Sequence, residues 1–362
     1  MDGHDIHLNS PVEGRRAAKA FLGKRGVHLG GSAVLGAALA YQPARRGPGI
    51  GRNPPDRCRR HRGDPRDDPL LPEIDNKLGG GKLRSVVVSY LDDHVSDLLT
   101  AGIYREDTGR ELAAACGELS QLAGWVAYDS DEHGLAQRYL TQALAYARHA
   151  DDQALAAEVL AAQAHQAIYL ARPSEAVDLS RAAQAAASRH GSATLLTECQ
   201  VMEAHAHAAR DDAPACGTAL ARAERTFDRA ARDDDPGWLS YFDEAYLAAR
   251  MAQCFRDLGD SRHAVRYAHR SLNMDGRYVR GRAFNLSLLA TAYASAGEPE
   301  EAARTGRQAL DLTARLNSAR SVRYLRDVTR QLRPRADVPA VRDFTAEVRD
   351  RLPAAAGRAA PR

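Results

Sequence analysis

Across 362 residues, 50 Lys and Arg stand against 47 Asp and Glu, a net charge of +3, and alanine occurs 69 times while aromatics make up 6%. About one residue in five is thus the strongest helix former, which excludes a large β-rich core. No apolar run reaches the roughly 18 residues that span a bilayer, which excludes an integral membrane chain, and so small a net charge does not mark a nucleic-acid binder.

The five cysteines (Cys58, Cys116, Cys199, Cys216 and Cys254) are odd in number and form no C-x-x-C pair, so neither a disulfide framework nor a zinc ribbon is indicated. A reducing, cytoplasmic setting fits them.

In chain order, residues 1–42 come first. Arg15-Arg16 precedes Phe21-Leu22 and an apolar stretch, Leu29–Ala40, in the outline of a twin-arginine export signal. The arginine pair stands four residues from Phe21 rather than one, and Gly30, Gly31 and Gly36 interrupt the apolar stretch, so an apolar connector is the preferred reading. Residues 43–72 follow, with seven Pro, four Gly and eight Arg and almost nothing to bury. Such a segment cannot offset its ordering entropy, and disorder is expected. Three readings apply to it: a linker, an arginine arm for nucleic acid (Arg57, Arg59, Arg60, Arg62) diluted by Asp56, Asp64, Asp67 and Asp68, or high-GC coding sequence read out of frame.

Over residues 73–352 the apolar pattern turns helical. Leu112, Ala115, Leu119, Leu122 and Val126 are spaced by three and four, which puts them on one helix face. Small residues then recur in phase: Ala136, Ala176, Cys216, Ala264 and Ala302 near the starts of second helices, with Gly124, Ala164, Ala204, Ala252 and Ala290 twelve earlier and Ala143, Ala183, Ala223, Ser271 and Ala309 seven later. The steps are 40, 40, 48 and 38 residues, the long one carrying the insertion Arg232–Trp238. Turn formers sit between the two helices of a unit: Pro173, Pro214, Gly259-Asp260 and Gly297-Glu298-Pro299. A hairpin of this kind cannot bury its apolar face alone, so units must stack. The pattern resembles the tetratricopeptide repeat, without that repeat's leading Trp and trailing Pro. The expected fold is therefore all-α, a tetratricopeptide-like α-solenoid of about five helical hairpins, with residues 353–362 as a disordered tail.

Several strings narrow the resemblance: LAGWVAYD (Leu122–Asp129), GLAQRYLTQAL (Gly134–Leu144), VMEAHAHA (Val201–Ala208), WLSYFDEAYLAA (Trp238–Ala249), CFRDLG (Cys254–Gly259) and RYVRGRAFNLSLLATAYA (Arg277–Ala294), with IDNKLGGGKLRSVVVSYL (Ile74–Leu91) leading them. These resemble the repeat-containing C-terminal half of actinobacterial transcriptional regulators of the xenobiotic-response-element, lambda-repressor-like helix-turn-helix class. The resemblance implies a DNA-reading domain ahead of a connector like Arg15–Ala40; with fourteen residues before Arg15, that domain is expected to be missing from this chain.

Local chemistry is sparse. Gly79-Gly80-Gly81-Lys82 lacks a Gly at Asn76 and a Ser or Thr at Leu83, so it is read as a turn and not a phosphate loop. Cys199, Glu203 and His207 share a helix face, a set that suits zinc, but His207 falls at the packing phase of Phe255 and Tyr293, and no metal is expected. No nucleophile–base constellation stands out, and neither catalysis nor a cofactor is expected.

In such solenoids the first helices line the binding groove. Glu118, Glu158 and Glu198 lie six before the small residue of the first helix, Trp125, His165 and His205 one after it, and Asp129 and Tyr169 five after it; Gln121 joins them. This acidic and aromatic strip suits a cationic peptide or an amine. The bland alternative is that the glutamates are solvated residues near helix starts. The expected function is the sensory and oligomerising half of a transcriptional regulator, taking a peptide, small-molecule or protein effector in the groove, possessing DNA contact only through a separate helix-turn-helix domain, and pairing as a homodimer. The alternative is a repeat scaffold for protein partners that never touches DNA.

Overall fold

The computed structural model describes residues 106–231, 235 and 237–352. The connector, the Arg/Pro-rich segment, Ile74–Leu91, the glycine turn and the tail lie outside the described residues. Within them the chain is an all-α helical repeat of twelve α-helices without strands. Five hairpins run in order: α1 (Glu106–Asp129) with α2 (His133–His149), α3 (Gln153–Tyr169) with α4 (Pro173–His190), α5 (Ala193–Ala208) with α6 (Ala213–Phe227), α7 (Glu244–Asp257) with α8 (Ser261–Ser271), and α9 (Val279–Ala296) with α10 (Pro299–Thr313). A last pair follows, α11 (Ala319–Leu332) and α12 (Pro339–Arg351), which packs on α9 and α10.

The fifteen phased small residues are the hairpin contacts. All are buried, and Ala164, Ala204, Ala252 and Ala290 are sealed against the paired helix. At Gly124 a methyl group would meet Leu140 Cγ and Cδ2 at 2.8 Å, so any side chain there would force Leu140 to shift. The second helices begin three residues before Ala136, Ala176, Cys216, Ala264 and Ala302.

The turn inside each hairpin is also periodic. Asp131, Ala171, Asp211, Gly259 and Gly297, each five residues before the small residue of the second helix, all have positive φ, from 57° to 82°. In each turn the next amide donates back to a carbonyl five residues earlier, as Arg172 does to Ala167 at 2.8 Å and Glu298 to Tyr293 at 3.0 Å, which satisfies the orphan carbonyls of the first helix. Side chains of Asp152, Ser192, Asp212, Asp243, Asp260 and Ser318 accept from amides at the opposite ends.

First and second helices differ in burial. α3 and α5 are apolar or buried nearly all round because they lie between neighbouring hairpins, whereas α8 buries only Ala264, Ala268 and Ser271. The buried polar side chains are therefore carried mainly by first helices. That layer curls back on itself: α11 meets α1 across the interior.

Candidate functional site: an inner strip of carboxyls and aromatics

The strip begins at the phase six before the small residues. Glu158 and Glu198 occupy the sixth positions of α3 and α5 and are 3% and 4% exposed, so they are not solvated residues. Glu118 holds the same phase on α1 and is half-buried. Carried through the long step, the phase continues into Tyr246 on α7 and Phe284 on α9.

Tyr241, on the short 3-10 helix Gly237–Tyr241 that ends the insertion, closes this pair. Its hydroxyl lies 3.1 Å from both oxygens of Glu158 and 2.9 Å from both oxygens of Glu198. A hydroxyl carries one proton, so it cannot donate to both carboxyls; the second bond needs a proton on a carboxyl. Burial, reinforced by the charge of Glu198, holds the Glu158 carboxyl well above the usual range, so the pair shares that proton. Burial raises Glu198 as well, against hydrogen bonds from Glu158 and Tyr241 and the charge of Arg250. Gln121 Nε2 donates to Glu158 at 3.0 Å, and Tyr246 Oη reaches Glu198 at 3.3 Å while accepting from Arg250. The pair thus holds less negative charge than two free glutamates.

The phases one and five after the small residues build two further groups. His165 Nδ1 lies 2.8 Å from Tyr128 Oη, and the Trp125 ring stands edge-on to His165 at 5.7 Å. Burial, with Arg250 and Arg320 nearby, lowers the His165 pKa well below its ordinary value, so the ring is neutral. His205 Nε2 lies 3.0 Å from Asp257, which despite burial is held well below the carboxylate range by Arg256 and His205.

Asp129, 1% exposed, is the meeting point of three distant helices. It accepts from Ser318 Oγ at 2.9 Å, faces Arg320 of α11 at 3.2 Å and Arg280 of α9 at 3.4 Å. The Arg320 guanidinium also stacks over Phe284 at 4.5 Å and Tyr128 at 4.7 Å and stands 5.9 Å from Trp125. Arg323, one turn on, lies 4.5 Å over the Tyr169 ring and 3.6 Å from Asp131. Tyr169 is edge-on to Tyr128 at 5.3 Å.

The nine residues expected from sequence thus occupy one face of the first helices, but the face is filled by the chain's own Tyr241, Arg250, Arg320 and Arg323. Sequence reasoning missed these four, together with Tyr128, Tyr246, Arg280 and Phe284. Only Tyr246 and Phe284 had a signal, the glutamate phase extended past the insertion.

The alternative metal face is a different place. Glu203 accepts from Arg181 at 2.9 Å, Gln184 at 2.9 Å and Arg222 at 2.6 Å, and lies between α4 and α6 beside an open cleft of about 600 Å³. Cys199 is fully buried, and among the described residues no group of three His, Cys, Asp or Glu side chains is arranged to hold a metal. No described helix is long and apolar enough to cross a membrane. Comparison with protein-family models and with curated proteins gives no match.

Proposed function

We propose that this chain is the ligand-sensing, tetratricopeptide-like half of a cytoplasmic transcriptional regulator, and that the inner strip takes a cationic effector. The observation that carries the reading is Arg320: a guanidinium lies against Asp129 between the faces of Phe284 and Tyr128, so the strip has the chemistry to hold a cation. A desolvated cation over aromatic rings gains about 2 kcal/mol, and a carboxylate beside it adds charge-assisted hydrogen bonds. The sequence strings from Leu122 to Ala294 support the regulator class. In this reading DNA is contacted only through a helix-turn-helix domain, and effector binding changes how the first helices curl, which requires different affinity for two curvatures.

The test is a thermal-shift panel of arginine peptides, lysine peptides and polyamines on the purified chain. A cationic compound is expected to raise Tm, and Asp129→Asn, at equal foldedness, to abolish the rise. A panel without any stabilising cation contradicts the reading.

A further inference from the structure

The closure between α11 and α1 rests on polar and ring contacts. The apolar side chains of α11, Leu325, Val328 and Leu332, belong to one cluster with α9, α10 and α12. Tyr128, Ala127 and Ala136 of the first hairpin form a separate cluster. What joins the two is mainly arginine on carboxylate and ring, Arg320 on Asp129 with Tyr128 and Arg323 on Asp131 with Tyr169, beside the Ser318 hydroxyl on Asp129 and the Tyr324 ring edge-on to Tyr169 at 6.4 Å. The same pairing occurs twice, three residues apart on α11 and therefore one turn apart along a helix. Arg323 and Asp131 are each about half exposed, so the outer pair opens directly to solvent. A contact made of ion pairs and ring faces can open while α11 keeps its apolar packing on α9, α10 and α12; opening uncovers Tyr128, Asp129 and Arg320.

We infer that the face carrying Trp125, Tyr128, Asp129, Asp131 and Tyr169 is a docking site for a peptide with two arginines spaced R-x-x-R, and that α11 occupies it in cis as an internal pseudo-ligand. This rests on the cationic-effector reading above and gives it a ligand class and a mode of control. An incoming peptide replaces Arg320 and Arg323 with its own guanidinium groups and releases α11 from α1, so the first helices uncurl. Until then α11 competes at the high effective concentration of a tethered segment.

The experiment uses the full chain with Trp238→Phe, which leaves Trp125 as the single tryptophan reporter. The probe is a capped peptide with the sequence of Ala319–Leu332. Arg320→Ala/Arg323→Ala is expected to bind it at least about tenfold more tightly than the parent, with a change in Trp125 emission, and adding Asp129→Asn is expected to remove the gain. A folded double variant that binds no more tightly than the parent overturns the inference. If the double variant does not fold, hydrogen exchange on the parent at saturating peptide decides: faster exchange across α11 supports cis occupancy, and unchanged exchange overturns it. Equal binding by parent and double variant, abolished by Asp129→Asn, overturns cis occupancy while leaving the cationic-effector reading intact. Binding by neither sinks both.

Discussion

Arg320 and Asp129, 191 residues apart in sequence, pair at 3.2 Å in an interior where both are nearly sealed from solvent. Despite its burial, the carboxylate keeps the guanidinium charged. Removing one partner of a buried pair strands the other, typically at about 3–5 kcal/mol. Asp129→Ala, which removes a carboxylate partner from both Arg320 and Arg280, is expected to lower stability by an amount in that range. The Arg320→Ala/Asp129→Ala double variant is expected to lose less than the sum of the single variants. Urea unfolding of the four proteins checks this, and strict additivity would mean that the pair carries no coupling.

Glu158 gives the repeat a pH-dependent element. Its folded pKa lies above its unfolded value of about 4.5, so its favourable contribution is complete below that value and is lost as pH rises through the folded pKa. Glu158→Gln keeps the neutral, hydrogen-bonding form at every pH. The variant is expected to match the parent near pH 4 and to exceed it in stability at pH 8. Parallel pH–stability curves for the two proteins would show that folding does not shift the Glu158 pKa.

At the turn of the second hairpin, Ala171 has a φ of 57°, where Gly259 and Gly297 serve the fourth and fifth turns. An L-residue there costs roughly 1–2 kcal/mol, and the greater freedom of glycine in the unfolded chain returns part of that. Ala171→Gly is expected to raise stability by about 0.5–1 kcal/mol, read as a higher Tm. A loss on substitution would contradict the turn geometry.

Gly306 lies in the middle of α10, where helix propensity alone favours alanine by about 1 kcal/mol. A methyl group there would meet the Phe344 ring at 2.5 Å. Overpacking against a rigid ring costs typically about 1–3 kcal/mol, so Gly306→Ala is expected to destabilise. Phe344→Leu in the Gly306→Ala background is expected to recover part of the loss, and urea unfolding distinguishes this from a simple propensity effect.

The hairpins were legible because close helix packing imposes small residues at fixed phases, and Ala164, Ala204 and Ala290 record that constraint directly in the sequence. The turn geometry was partly legible: Gly259 and Gly297 mark it, while Ala171 and Asp211 adopt the same backbone without a glycine. The last pair escaped notice because it packs with large side chains. Leu325, Val328 and Phe344 fill its core, and the small-residue signal is absent. The strip residues were found by phase, since a repeat places equivalent positions on one face. Their partners were not, because Tyr241 lies just after the insertion, on the short 3-10 helix and outside the repeat phase, and Arg320 reaches its site through tertiary closure that local spacing does not encode.

Asp129, Tyr128, Trp125 and Phe284 together surround the Arg320 guanidinium as a site for that group. Chemical rescue tests this assignment most directly: the Tm of Arg320→Ala is measured with and without agmatine, beside the parent protein and Arg320→Ala/Asp129→Asn. Agmatine at about a hundredfold excess over Kd is expected to stabilise Arg320→Ala by roughly 2.7 kcal/mol, with a smaller shift in the parent, whose site Arg320 already fills, and little in Arg320→Ala/Asp129→Asn. Equal shifts in all three, or none in Arg320→Ala, would contradict the assignment.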